Sequence, residues 1–367
     1  MPLADADGEA WLLHDCIDAE KRQFKNLPAE VQIRRANSML ASSLKAIRDW
    51  GPTHCLEMSV QGVDGKAFVY ASRHLGVPIL VPTSARMFGG MYFSQDELET
   101  LPSKFISESH VMDAKGFIGD YRASPRPAQT FIDSREGTAS VSPESSQVRS
   151  FVDWATMTMR DPESFEWDHV RAAVLNRAPV ARDILWATKA TVKKRHFDLA
   201  EGEIPNYPYV FFPLQYTPES SINALSAYFI DQVRAIDMLR YSLPAGTRIV
   251  VKEHPSMLGL RPGKFIKDLR RKSGVRVAHV HTSSLDLIRE ALITVSITGT
   301  AVAEAFLLGY PAIALGPSLP AQLAGKAPFG ATVDEMLSTA RSVTEHDRIC
   351  VVAKLLSARE KVNLCSP

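Results

Sequence analysis

The sequence predicts an α/β protein of two Rossmann-like domains facing a cleft. From Tyr209 to Gly316, apolar runs of strand length alternate with helical segments, the pattern of a parallel sheet with crossover helices. The turns after these strands carry Gln215, Glu219, His254, Gly299, Thr300 and Glu304, and the strand ends of such a sheet converge on one crevice. A shorter series of the same kind lies between Pro28 and Val81.

In the C-terminal half, Tyr209–Leu214 reads as the first strand. Ser221–Leu243 follows as one helix, with Ile222, Leu225, Phe229, Val233, Ile236 and Leu239 on one face. Thr247–Lys252 is a β-branched strand that stops at Glu253-His254-Pro255, where proline bars its continuation. Arg261–Lys272 is a basic amphipathic helix and Val275–Val280 a strand. Ser283 with Asp286 forms a capping box for the helix Ser284–Ala291. Leu292–Ile297 is a strand, and Thr298-Gly299-Thr300 turns into a helix that ends at Gly309. Tyr310-Pro311 leads into the strand Ala312–Leu315.

In the N-terminal half, a helix is expected over Pro28–Trp50, closed by Gly51, and a strand over Thr53–Val60. A helix over Lys66–Leu75 and a strand over Val77–Val81 complete this second unit, with a brief strand at Trp11–His14. Its carboxyl-end loops are Gln61–Gly65 and Thr83–Gly90. Ala123–Gln147, rich in Ser and Pro, reads as an excursion, Phe151–Ala200 as helical, and Glu201–Pro208 as an interdomain linker and hinge. Closing helices are expected over Glu335–Val362. The domains would then be residues 1–205 (with a helical insertion), 206–340, and a closing helix over 341–367.

A chain of 367 residues supports two full cores, and 45% hydrophobic with 23% charged residues is ordinary for a globular protein. A net charge of +1 argues against a dedicated nucleic-acid binder. The basic run Arg261, Lys264, Lys267, Arg270, Arg271, Lys272 reads as a solvated helix face, with an anionic membrane surface or glycan as the alternative. Four dispersed cysteines fit a reducing compartment, and no apolar run reaches bilayer length. The acidic N-terminus lacks a signal-peptide pattern, so a cytoplasmic protein, at most peripheral to a membrane, is expected.

The turn Thr298-Gly299-Thr300 is a phosphate candidate, because a helix N-terminus offers unpaired N–H groups and glycine permits close approach. His254 can donate to a phosphate and stabilise charge on a departing nucleotide. Glu304, placed in the first turn of the following helix, can accept ribose hydroxyls or complement the helix dipole. Gln215, Glu219 and Ser220 can read a sugar or a base, and Lys252 is counted with them as donor-binding, though with Glu253 it also reads as an ordinary surface pair beside His254. No His or carboxylate set has metal-ligand spacing, so neither a metal nor a cofactor is expected.

Three ordered blocks carry a resemblance: Phe212-Pro-Leu-Gln-Tyr-Thr-Pro-Glu-Ser-Ser221, Val251-Lys-Glu-His-Pro255, and Thr298-Gly-Thr-Ala-Val-Ala-Glu-Ala305 with Leu308-Gly-Tyr-Pro311. Together they resemble the capsular and surface polysaccharide biosynthesis family. Its members look like GT-B glycosyltransferases, some of which transfer Kdo from its CMP-activated form. More distantly the blocks are similar to UDP-N-acetylglucosamine 2-epimerase, but Gln215-Tyr-Thr-Pro-Glu219-Ser220 stands where that enzyme has a basic block.

The resemblance implies a GT-B-like fold in which the C-terminal domain binds a CMP- or UDP-linked sugar. It places His254, Gly299 and Thr300 on donor phosphate, Glu304 on ribose, and Gln215 and Glu219 near the donor sugar. The acceptor, a glycan or glycolipid, would bind the N-terminal domain. Asp64 is the first choice for the general base and Glu57 the second, with Arg86 holding an acidic group. Asp64 also suits a plain Asp-Gly turn. The alternatives are a sugar-nucleotide epimerase and a non-catalytic glycan-binding relic.

Overall fold

The computed structural model describes residues 28–58, 60, 62–126, 197–217, 220–223, 225–257, 261 and 263–359. The strand expected at 11–14, the excursion beyond residue 126 and most of the helical stretch expected over 151–200 lie outside these residues.

The chain is α/β, with two sheets. In the N-terminal unit, α1 (Ala29–Trp50) ends at Gly51, whose φ of 55° lets its N–H return to the Ile47 carbonyl. β1 (Cys55–Leu56), α2 (Val63–His74) and β2 (Ile79–Ser84) form one parallel β-α-β unit. β3 (Met91–Ser94), which the sequence pattern did not announce, pairs antiparallel with β2. Ile47, Cys55, Val69, Ala71, Ile79 and Val81 make a small core of their own.

That core ends at β2. From Ala85 onward the buried side chains belong to a second cluster: Ala85, Phe88, Tyr92 and Leu101 pack with the C-terminal unit. So does α3 (Glu108–Ala123), through Ala114, Ile118 and Tyr121. Arg122 ties α3 down, its Nε donating to the Leu307 carbonyl at 2.8 Å and its guanidinium pairing with Glu345.

The C-terminal unit comprises β4 (Tyr209–Pro213), α4 (Ser220–Asn223), α5 (Gln232–Tyr241), β5 (Arg248–Lys252), α6 (Gly263–Arg271), β6 (Val275–Ala278) and α7 (Ser284–Glu290). It continues through β7 (Ile293–Ser296), α8 (Thr300–Leu308), β8 (Ala312–Ala314), α9 (Leu319–Ala324), α10 (Val333–Ser342) and α11 (Glu345–Ala358). All strand pairs are parallel in the order β6-β5-β4-β7-β8, so the order reverses between β4 and β7. Alternate residues of β4 serve opposite faces. Tyr209 and Phe211 pack in one cluster with α8 and α11, while Val210 and Phe212 join Ile236, Leu239 and Leu269 in the other.

Two expectations change here. The helix expected over 221–243 is broken into α4, a 3-10 turn at Ala227–Phe229 and α5, although Ile222, Phe229, Ile236 and Leu239 stay buried as its spacing implied. Serines and asparagines compete with the helical backbone, and Asp231 starts α5 afresh by accepting from the Val233 N–H. Nor is the segment before β4 a free tether. Asp198 pairs with Arg270 and accepts from the Val277 N–H, and the Gly202 N–H donates to Thr282 Oγ1.

Among the described residues no helix is long and apolar enough to cross a membrane. Much of the basic run is paired rather than left to solvent: Arg261 with Glu253, Arg270 with Asp198, Lys272 with Asp237.

Phe211 is fully enclosed, so Phe211→Ala should cost about 3–5 kcal/mol in chemical denaturation. Asp64→Asn, at an exposed helix start, should cost about 1 kcal/mol or less in the same measurement.

Candidate functional site

The reversal of strand order puts the loops after β4 and β7 side by side, and Gln215 joins them. Its Nε2 donates to Thr298 Oγ1 at 2.9 Å, and its Oε1 accepts from the Thr298 N–H at 3.0 Å. Its backbone is held as firmly. The N–H donates to Gln232 Oε1, and the carbonyl accepts from Gln232 Nε2 and from the Arg261 guanidinium. Gln215 is buried, and its amide, bonded to Thr298 through both Nε2 and Oε1, frames the site. Thr298, with no exposed surface, is likewise part of the frame.

Arg261 brings in the loop after β5. Its Nε donates to Glu253 Oε2 at 2.7 Å, and Glu253 Oε1 accepts from the His254 N–H at 2.8 Å. Lys252, Glu253 and Arg261 are all buried, so the expected surface pair and the expected solvated arginine are both corrected. The reason is local: β5 lies between β4 and β6, and residues at its carboxyl end are roofed by the β4 loop. Burial pushes the Glu253 carboxyl up, against the pull of Arg261. A buried ion pair of this kind holds only while both partners remain.

His254 lies half-buried beside this pair, its ring edge-on to Tyr216 at 6.1 Å between centroids. Burial, then the charges of Lys252 and Arg261, lower its pKa to about 4, so the imidazole is neutral at pH 7. The charges of Lys252 and Arg261 act in the same direction as burial, and Glu253 is paired with Arg261.

Gly299 is the N-cap of α8, with no side chain to cap the helix, and Gly299 and Thr300 are half-buried. Its glycine identity follows from a close approach. A Cβ there would sit 2.6 Å from Ser296 Oγ, which accepts from the Gly299 N–H. Thr300 is the first helical residue and not the cap. Glu304 falls beyond the first turn of α8 and is buried, near Tyr121 of α3, whose phenol is pushed up by burial and then by this carboxylate. The expected first-turn position is therefore corrected.

Arg86 reaches the same turn from the N-terminal side. Its guanidinium donates to the Thr298 carbonyl at 3.3 Å and grips both oxygens of Glu99 at 2.9 Å. Glu99 in turn accepts from the Leu319 N–H at 2.7 Å. Arg86 (φ 53°) and Glu99 (φ 62°) are the two non-glycine residues with positive φ among those described, and they are each other's partners. Backbone strain of about 1–3 kcal/mol at each persists only where the surroundings impose it. Arg86 thus braces the Thr298–Thr300 turn, with Glu99 already holding the carboxylate-binding face it was expected to offer a ligand.

The remaining expected residues are not drawn into this group. Asp64 is exposed in the first turn of α2, and Glu57 is half-buried after β1. Glu219 lies outside the described residues, and Ser220 begins α4. Glu253, Arg261, Gln232, Ser296 and Glu99 were not foreseen as framework. The one sequence signal was a charged residue, Glu253, directly following an apolar strand. Among the described residues no group of three His, Cys, Asp or Glu is placed to hold a metal.

Gly299→Ala should destabilise the fold by about 1–3 kcal/mol, and adding Ser296→Ala should recover most of that loss in denaturant titration. His254 gives a pH signature. The unfolded imidazole takes up its proton near pH 6.5 and the native one only near 4, so native stability is lost as pH falls through that window. Between pH 7 and pH 5, His254→Ala should lose about 1–2 kcal/mol less stability than wild type.

Comparison with solved structures finds faint likenesses. The β-Kdo 2,4-transferase KpsC of Thermosulfurimonas dismutans is 14% identical, over 83% of this chain and 88% of that one, with a TM-score of 0.35. The β-Kdo 2,7-transferase KpsC of the same organism is 13% identical over 85% and 79%, with a TM-score of 0.38. The Methanocaldococcus jannaschii UDP-GlcNAc 2-epimerase, solved with UDP-GlcNAc and UDP, is 10% identical over 78% and 66%, with a TM-score of 0.22. Scores this low carry no argument. None of the curated proteins matches. Residues 107–321, more than half of the 367, match the family model of capsule polysaccharide biosynthesis proteins, and the chain belongs to that family.

Proposed function

We propose that the protein is a glycosyltransferase that moves a sugar, Kdo or a related acidic sugar, from a CMP- or UDP-linked donor to a surface glycan or glycolipid. The observation that supports this best is the cluster of Lys252, His254, Arg261 and the start of α8 at the strand-order reversal. There burial, with the charges of Lys252 and Arg261, holds His254 neutral, and α8 starts with no side-chain cap. Family membership supplies the context of polysaccharide assembly.

In this reading the donor phosphate lies against the start of α8 at Gly299 and Thr300, the Gly299 N–H staying with Ser296 Oγ, and His254 donates a hydrogen bond to a phosphate oxygen. The acceptor hydroxyl oxygen forms a bond to the anomeric carbon as the bond from that carbon to phosphate oxygen breaks. The nucleotide leaves with the electron pair, and Lys252 and Arg261 favour its charge. The acceptor proton passes to a general base on the N-terminal unit, Asp64 first and Glu57 second. No metal or cofactor takes part. The protein works in the cytoplasm, with its acceptor at the inner face of the membrane.

His254→Ala should lower turnover by about 10²-fold, the scale of losing one such donor, with the fold retained at pH 7. The check is a product assay with donor and glycan acceptor together. Full activity in the variant, or sugar-nucleotide turnover that needs no acceptor, would sink the proposal.

A further inference from the structure

Beyond Gln215 the same loop holds polar groups whose bonding is left incomplete. Ser221, Asn223 and Ser226 are each at least nine-tenths buried, with exposures of 9%, 2% and 8%. Among the described residues none of Ser221 Oγ, Asn223 Oδ1 or Ser226 Oγ has a hydrogen-bond partner. A buried polar group left unmade costs about 1–3 kcal/mol, so three within six residues mark a place where something else completes the bonding. The loop is also fitted to the Thr298–Thr300 turn. Ser226 Oγ lies so close over Gly316 that a Cβ there would be 1.7 Å away, and the same Cβ would be 3.3 Å from the Thr298 methyl.

Beyond Ser226 the loop comes to the surface as an aromatic step. Tyr228 is 53% exposed and Phe329 74% exposed, and their rings meet edge to face at 5.1 Å. The Arg234 guanidinium lies 5.3 Å from the centre of the Tyr228 ring. Two large exposed aromatics in contact, with a cation on one, offer a face on which a flat ring can stack.

We infer that the loop from Ser221 to Tyr228, with Phe329, is the nucleobase subsite of this protein. Asn223 and the two serines read the edge of the base, and the Tyr228–Phe329 step stacks on its face. The chemistry favours a base over a sugar. The set contains no carboxylate, the group that accepts from paired ribose hydroxyls, and it contains an amide, whose donor and acceptor match a base edge. The inference rests on the nucleotide-sugar reading above.

The test compares CMP, UMP and ribose 5-phosphate by calorimetry on the full chain, for wild type, Asn223→Ala and Tyr228→Ala. Wild type should bind CMP or UMP more tightly than ribose 5-phosphate. Each variant should weaken the nucleotide by about tenfold and leave ribose 5-phosphate unchanged, because stacking and edge contacts touch only the base. Tyr228 is exposed, so its variant tests the idea even if Asn223→Ala folds poorly. If wild type binds CMP or UMP and both variants bind it equally well, the subsite is overturned and the nucleotide reading stands. Equal weakening of ribose 5-phosphate would also overturn it, since the loop would then hold sugar or phosphate. If wild type binds none of the three, the subsite and the nucleotide reading fall together.

Discussion

The site depends on one side-chain amide. At the point where strand order reverses, β4 and β7 run side by side, and a side-chain tie joins the loops beyond them. Gln215 supplies it, donating to Thr298 Oγ1 and accepting from the Thr298 N–H, with Gln232 and Arg261 fixing its own backbone. A primary amide suits this place because one planar group both donates and accepts. A carboxylate could not donate, and a lysine could not accept. Enclosure makes each bond costly to lose, so the loop geometry is imposed on whatever ligand arrives.

The electrostatics follow from that tie. Arg261, drawn in to the Gln215 carbonyl, lies against buried Glu253, which accepts from the His254 N–H. On the other side the strained pair Arg86–Glu99 reaches from the N-terminal segment to the Thr298 carbonyl and the Leu319 N–H. The Thr298–Thr300 turn is therefore braced by both halves of the chain. The segment from Ala85 to Ala123 packs with the C-terminal core, which leaves the small core of α1, α2, β1 and β2 as the separate body.

Much of the fold was legible because it rests on local signals. The β-branched run to Lys252 ended where its strand ends, Gly51 and Gly309 stopped helices in the left-handed region, and Ser283 capped its helix, while the strand expected over 53–60 shrank to Cys55–Leu56. The broken helix after β4 was not legible, since its apolar spacing persists across the breaks while serines and Asn223 redirect the backbone. At the site, His254, Gly299 and Gln215 were found by their place at strand ends. Their roles needed the third dimension. Nothing in sequence pairs Arg86 with Glu99, or buries Lys252 and Glu253 beside an arginine several residues on. Residue type announced where chemistry would gather, and packing decided which groups stayed available for it.

In the proposed reaction an anionic phosphate enters where burial, with the charges of Lys252 and Arg261, holds His254 near pKa 4. Calorimetry of a CMP- or UDP-linked sugar at about pH 5.5, in buffers of different ionisation enthalpy, tests it directly, because a sugar-linked phosphodiester does not itself titrate there. The account predicts net proton uptake on binding, as the phosphate charge raises the histidine's pKa, and predicts that His254→Ala abolishes the uptake. Binding with no proton uptake in wild type, or equal uptake in the variant, would contradict it.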